Sequence, residues 1–363
     1  MRKYSLVIPI WDFVKSGGLR VLTELANNIS IMGINVKIIA FYKNNKPYYP
    51  VSVPIEFVNE YGEVVKREDP PKQKKRIEAI KNVGIRVKAL KKALDRNSKE
   101  YTCVLANFHL TTYAVKKCNI AHKFYYIQAY EAWYKKGIYN TFKNYVAKKT
   151  YSFDLIRIVN ADLYKDYKEI KSKYVVPPGL NFDLYYNKSA NKYWDGKRPL
   201  VIGHIGRTEE WKGSKDVAAA VKLLQGEGAD IVYKVAFNPP EKDSCHFDLV
   251  KPDGDNNLAE YYRSVDVLVA PGHIQLGAIH YPVIEAMACG TPVITTGYYP
   301  ANDDNAYIVS VKSPNEIANA IKSIMSDYSL AMSKVEKASQ EIEAFSWDNV
   351  SKKMLSIIEE NIN

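Results

Sequence analysis

The chain has 363 residues, 47% of them hydrophobic, and its 51 Lys and Arg against 40 Asp and Glu leave a formal charge of +11. That length suffices for two domains with full cores, and the composition is that of a globular protein rather than a fibrous or disordered one. No apolar run approaches the roughly 20 residues of a membrane span, and the first nine residues are too short for a signal peptide, so a cytoplasmic protein is expected.

The first segment, Lys3–Trp11, is rich in Leu, Val and Ile and barely alternates, which suits a central parallel strand. It runs into Lys15-Ser16-Gly17-Gly18, after which Leu19, Leu22, Leu25, Ala26 and Ile29 recur at helical spacing. The glycine pair at a helix N-terminus offers free backbone N–H groups to an anion, although two adjacent glycines also suit a plain turn. Strands follow at Val36–Tyr42 and Pro54–Asn59.

Residues 66–99 hold thirteen Lys or Arg and four Asp or Glu. Within them Ile80, Val83, Val87, Leu90 and Leu94 are spaced alternately three and four apart, an apolar helix stripe that leaves the cations outward. An anionic membrane surface, a nucleic acid or water alone would suit such a face. Strands are expected at Thr102–Phe108, Lys123–Ala129 and Leu155–Asn160, each followed by a helical pattern, the alternation of a doubly wound sheet.

Pro177-Pro178-Gly179 makes an extended turn, and Tyr185–Arg198 is polar enough for a surface linker. A second doubly wound set then opens: strand Leu200–Gly206, helix Ser214–Leu224, strand Ile231–Phe237 and helix Asn256–Val265. Val265–Ala270 reads as a buried strand stopped by Pro271-Gly272. Tyr281–Ala288 is a helix opened by Pro282 and closed by Gly290, and Pro292–Thr296 is the next strand. Ligands of such βαβ units lie beyond the carboxyl ends of the strands. Glu285 is placed in the first helical turn, facing that crevice. A strand at Ala306–Ser310, a helix at Pro314–Met325 and a last helix from Ser346-Trp347 complete the chain.

Asp266-Val267-Leu268-Val269-Ala270-Pro271, followed by Pro282-Val283-Ile284-Glu285-Ala286-Met287-Ala288-Cys289-Gly290-Thr291-Pro292-Val293-Ile294, resembles a known signature. It is the donor site of retaining GT-B glycosyltransferases of the glycosyltransferase family 4 (group 1) type. The resemblance implies two Rossmann-like domains facing a central cleft. Residues 1–185 form the acceptor-side domain, joined by a returning C-terminal helix at 346–363, and residues 199–345 form the donor domain. It further implies that Glu285 holds the ribose hydroxyls of a nucleotide-sugar and that Gly17 and Gly18 admit its phosphate. Arg207 and Lys212, following Gly206, match the family's cations that stabilise the departing diphosphate. Two departures stand out: Gly277 where the family carries its first glutamate, and Ile279-His280-Tyr281 where it carries Phe-Gly-Leu.

In many relatives the fifth strand ends in a histidine that contacts the donor sugar. Here Gln128 is the nearest match, and His109, at the end of the preceding strand, is an alternative polar group. Tyr130 and Trp133 suit stacking on an acceptor or packing in the core, Glu131 suits sugar hydroxyls or a helix start, and His280 suits the donor sugar or shaping of its loop. Asp253-Gly254-Asp255 is formally a metal–diphosphate triplet but reads as turn chemistry, so no metal and no cofactor is expected. Cys103, Cys118, Cys245 and Cys289 show no metal-ligand spacing.

The expected activity is transfer of a sugar from a nucleotide donor to a hydroxyl of a glycan, glycolipid or lipid-linked sugar, with retention of configuration. The alternative is a catalytically weak or inactive GT-B protein that binds a nucleotide-sugar or polyanion, which the departures at Gly277 and Gln128 would suit. No nucleic-acid reader motif is present, and nucleic acid is not an expected partner. Peripheral attachment to anionic membranes is expected through Lys74, Lys75, Lys81, Lys88, Lys91 and Lys92.

Overall fold

A computed structural model describes residues 4–42, 47–65, 78–132, 138–187, 193–241, 244–274 and 276–362, with the side chains of 78–82 and 138–139 outside the description. The chain divides into two compact units, Met1–Gly179 with Trp347–Asn363, and Leu180–Ser346. The first unit therefore ends at Gly179 rather than at Tyr185. Tyr185 is fully buried in the core of the second unit beside Tyr262, and the Leu180 amide donates to the Phe345 carbonyl at 2.7 Å.

Unit 1 runs β1 (Ser5–Ile10), α1 (Gly17–Ile31), β2 (Asn35–Phe41), β3 (Ile55–Val58), α2 (Glu78–Asn97), β4 (Cys103–Ala106), α3 (His109–Lys117), β5 (His122–Ile127), α4 (Ile138–Thr150), β6 (Ile156–Val159) and β7 (Tyr174–Val175). Its strands lie in the order β3-β2-β1-β4-β5-β6-β7, and every neighbouring pair is parallel. Each residue of β1 is buried, as a strand covered on both faces requires. The strand order reverses between β1 and β4, so the loops leaving these strands flank the crevice where such sheets bind ligands.

Unit 2 runs β8 (Leu200–Gly206), α5 (Ser214–Gly226), β9 (Ile231–Phe237), β10 (Asp248–Val250), α6 (Gly254–Ser264), β11 (Val267–Ala270), α7 (Tyr281–Ala288), β12 (Val293–Thr295), β13 (Tyr307–Ile308), α8 (Pro314–Ser326) and α9 (Tyr328–Ile342). The order β10-β9-β8-β11-β12-β13 is again parallel throughout, with its switch point between β8 and β11. Helix α10 (Trp347–Glu360) belongs to unit 1, where Glu359 accepts from the Tyr4 hydroxyl at 3.1 Å. A Cβ on Gly179 would sit 2.4 Å from the Trp347 indole, so only glycine lets the chain pass there.

The basic helix α2 buries less of its stripe, and frees fewer of its cations, than its spacing predicts. Leu90 and Leu94 are fully buried, Val83 and Val87 only partly, and the Ile80 side chain lies outside the description. Lys88 and Lys92 are exposed, whereas Lys91 pairs with Asp95 one turn on. Arg86 turns inward: its Nη2 donates to the Trp11 carbonyl at 2.8 Å and to Asp12 at 2.9 Å. The guanidinium sits 4.2 Å from the ring centroids of both Trp11 and Phe41. A planar cation can bury its stem and stack, so helical periodicity alone does not keep arginine at the surface. Lys74 and Lys75, and the side chain of Lys81, lie outside the described residues. Among the described residues no helix is long and apolar enough to cross a membrane.

Candidate functional site

In unit 2 the site is built where β8 and β11 release their chains. Gly206 closes β8 against the next loop, and a Cβ there would lie 1.8 Å from the Asn238 carbonyl oxygen. Packing therefore calls for glycine at the end of β8. Gly213 has φ 76°, and its Cβ would meet the Pro271 carbonyl at 1.9 Å, so the loops after β8 and β11 touch through glycine.

A buried relay fixes the backbone at Arg207 between these loops. His204 Nδ1 donates to the Val269 carbonyl at 2.8 Å, which leaves Nε2 to accept from Ser214 Oγ at 2.9 Å. Ser214 Oγ in turn accepts from the Arg207 amide at 3.0 Å. Burial, opposed by the Val269 bond and aided by Arg207, lowers the His204 pKa to about 4, so the imidazole stays neutral and the relay keeps one polarity. Arg207 is exposed, while Lys212 ends a short 3-10 turn (Glu210–Lys212) and is half-buried. Burial first, then Arg207, pushes the Lys212 pKa down.

His204, Ile205, Arg207, Lys212, Ala270, His280 and Pro282 together line a notch in this unit. His280 caps the start of α7 and packs its ring 4.6 Å from that of Tyr298. Its buried Nδ1 has no hydrogen-bond partner among the described residues. Burial, then Lys212, Arg207 and His204, hold its pKa well below the usual histidine range. A neutral imidazole nitrogen and two cations thus share one wall.

Two signature positions differ from expectation. Helix α7 begins at Tyr281, with Pro282 in its first turn, so no acidic residue stands in that turn. Glu285 is one turn deeper, 4% exposed, and accepts from the buried Tyr262 hydroxyl at 2.8 Å. It does not line the notch. Gly277 has φ 85°, in the left-handed region, and its amide donates to the Gly297 carbonyl at 3.0 Å. The glycine serves the turn, where a glutamate would be strained.

In unit 1 the ends of β1, β4 and β5 enclose a cavity of about 400 Å³, walled by Trp11, Val14, Leu19, Leu22 and Phe108. Asp12, Ser16, Gly18, Asn107, Gln128, Ala129 and Glu131 complete the wall. Gly17 opens α1, and Gly18 sits under Gln128, whose Nε2 donates to the Gly18 carbonyl at 3.2 Å. Glu131 is held firmly. Its Oε2 accepts from the His109 amide at 2.9 Å and His109 Nδ1 at 2.6 Å, and its Oε1 accepts from the Tyr125 hydroxyl at 2.9 Å.

His109, 5% exposed, therefore positions Glu131 and does not itself line the cavity. Tyr130 turns away from the cavity and packs on Tyr151 and Tyr167, with its hydroxyl donating to Glu169 at 3.2 Å. Trp133 lies outside the described residues. Reading by motif missed Trp11, Asp12, Asn107 and Phe108, although each directly follows a strand of the switch point. Asp253 precedes a turn at Gly254 (φ 74°) that opens α6. Among the described residues no group of three or more His, Cys, Asp or Glu could hold a metal ion.

Residues 199–327, which lie within unit 2, match the family model described as glycosyl transferases group 1. Among curated proteins, one named "Probable sucrose-phosphate synthase", from Thermosipho melanesiensis, is 27% identical over 224 residues, 54% of this chain and 50% of that protein. A D-inositol 3-phosphate glycosyltransferase from Corynebacterium urealyticum is 24% identical over 229 residues, 54% and 53% of the two chains. The chain spans about half the length of the curated relatives it matches. Solved structures match over nearly the whole chain. A sucrose-phosphate synthase from Thermosynechococcus elongatus has a TM-score of 0.73 at 17% identity, covering 99% of both chains. HepE from Anabaena, in complex with UDP and glucose, has a TM-score of 0.67 at 12% identity, covering 98% of this chain and 99% of that one. The fold is GT-B, an α/β fold of two parallel-sheet units.

Proposed function

We propose that the chain transfers a glycosyl group from a nucleotide-sugar to a hydroxyl acceptor, with retention of anomeric configuration and without a metal ion. The observation that carries this reading is the shared wall of Arg207, Lys212 and His280 at the carboxyl end of β8, inside the group 1 glycosyl transferase match. Breaking the bond between the sugar and the diphosphate leaves negative charge on the leaving oxygen. An exposed guanidinium and a half-buried ammonium in one wall stabilise that charge. Among the described residues that line the notch none is a carboxylate, which suits same-face attack with the departing phosphate taking the acceptor proton.

The support comes from donor-domain chemistry, so nucleotide binding is its first test. UDP and UDP-glucose head the panel, because a fold neighbour holds them. A ligand that binds only the folded state stabilises it by about 2.7 kcal/mol at a concentration 100 times its Kd. The expected result is a raised Tm with one nucleoside diphosphate and its sugars, absent with the free base. A panel of UDP, GDP, ADP and their sugars that leaves Tm unmoved would remove the reading.

A further inference from the structure

The two units differ in the charge they present. The unit 2 notch is lined by two cations and no carboxylate, whereas the unit 1 cavity is lined by two carboxylates, Asp12 and Glu131, and by no Lys or Arg among the described residues. This holds although the chain as a whole carries +11. The nearest guanidinium, Arg86, is bonded to Asp12 and the Trp11 carbonyl and stacked between Trp11 and Phe41. At the rim the N-terminus of α1 favours anions, but its Leu19 amide is already capped by Ser16 Oγ at 3.3 Å.

Glu131 meets donors on both oxygens, yet a carboxylate offers about four acceptor directions, and three are used. The remaining one calls for a hydroxyl donor. A phosphate at neutral pH has no strong donor to give and is repelled by the charge. The walls at Trp11, Leu22 and Phe108 suit the apolar face of a sugar ring. A volume of about 400 Å³ is that of an ordinary small-molecule site.

We infer that the acceptor is an unphosphorylated glycosyl unit, held in the unit 1 cavity by hydrogen bonds to Glu131 and by packing on Trp11 and Phe108. The cavity thereby discriminates against phosphorylated sugars. This rests on the glycosyl-transfer reading and narrows its acceptor. It also separates this chain from relatives whose names carry inositol 3-phosphate and sucrose phosphate.

Saturation-transfer NMR on the full chain with UDP present tests it, using methyl glucoside, methyl mannoside and methyl rhamnoside against glucose 6-phosphate and inositol 3-phosphate. At least one methyl glycoside is expected to bind and neither phosphate, and Glu131→Gln is expected to weaken that glycoside about tenfold or more, the loss typical of one hydrogen bond to a charged group. Glu131 supports its surroundings, so a second variant guards against misfolding. Val14 lines the cavity and is 54% exposed, and Val14→Lys places a cation there without disturbing the core. It is expected to gain glucose 6-phosphate binding. Preference of the parent chain for either phosphate, failure of all three glycosides, or no gain in Val14→Lys would overturn the inference. UDP binding in the same samples reports on the donor reading and not on the acceptor, so a failed acceptor class is distinguishable from a failed transferase reading.

Discussion

Arg207→Ala is expected to lower turnover by about 100- to 1,000-fold, the usual loss when one preorganised partner of a developing oxyanion is removed. Donor-sugar affinity falls far less, because the leaving charge is greatest in the transition state. Lys212→Ala behaves alike, since both cations line the same notch. The two are coupled: burial and then Arg207 push the Lys212 pKa down. On the proposed role Lys212 works protonated, so activity is expected to be full below its pKa and to fall above it, at a lower pH than an ordinary lysine gives. Removing Arg207 takes away one depressing charge and moves the alkaline limb upward in the residual activity. Turnover measured with donor Kd across pH checks all three outcomes. Equal turnover in Arg207→Ala and the parent would sink the assignment.

Glu285→Ala is expected to damage both binding and fold. Nucleotide affinity weakens by about 1.5–3 kcal/mol if the carboxylate accepts from ribose hydroxyls. Stability falls as well, by about 1–3 kcal/mol, because the substitution withdraws the acceptor of the buried Tyr262 hydroxyl. Burial, and the charge of Glu285 beside it, already push the Tyr262 pKa far up, so the phenol cannot ionise to compensate. Glu285→Gln separates the two effects: it keeps shape and an acceptor for Tyr262 but loses the charge. Denaturant unfolding with nucleotide titration on both variants gives the answer. A folded Glu285→Gln with unchanged nucleotide affinity would confine Glu285 to the core of unit 2.

Much of this architecture is legible in the sequence because parallel strands buried on both faces are continuous apolar runs. Val267–Ala270 and Cys103–Ala106 announce themselves in that way. Strand β10 does not, being three residues long with two exposed. Helix α9 was legible but unread: Tyr328, Ala331, Val335, Ala338 and Ile342 are buried at spacings of three and four.

The site was legible only where its residues are neighbours in the chain. Arg207, Lys212 and Ser214 fall within one short stretch, but the partners that fix side chains are remote. Glu285 accepts from a residue 23 positions away, Glu131 from one 22 away, and Arg86 reaches back 74 positions to Asp12. Periodicity reports the face of a helix, not which charged residue on it has found an inward partner. Hence helical spacing alone puts Arg86 at the surface and does not find the Tyr262 partner of Glu285.

The most direct test of the account follows the sugar itself. A nucleotide-sugar that raises Tm is incubated with the glycoside that binds unit 1. Release of free nucleotide and the anomeric configuration of the product are then read by NMR, with and without chelator. The account predicts acceptor-dependent release that chelator leaves unchanged and Arg207→Ala slows by about 100- to 1,000-fold, with the product keeping the donor's configuration. No release beyond that of donor alone, or a product of inverted configuration, would contradict it.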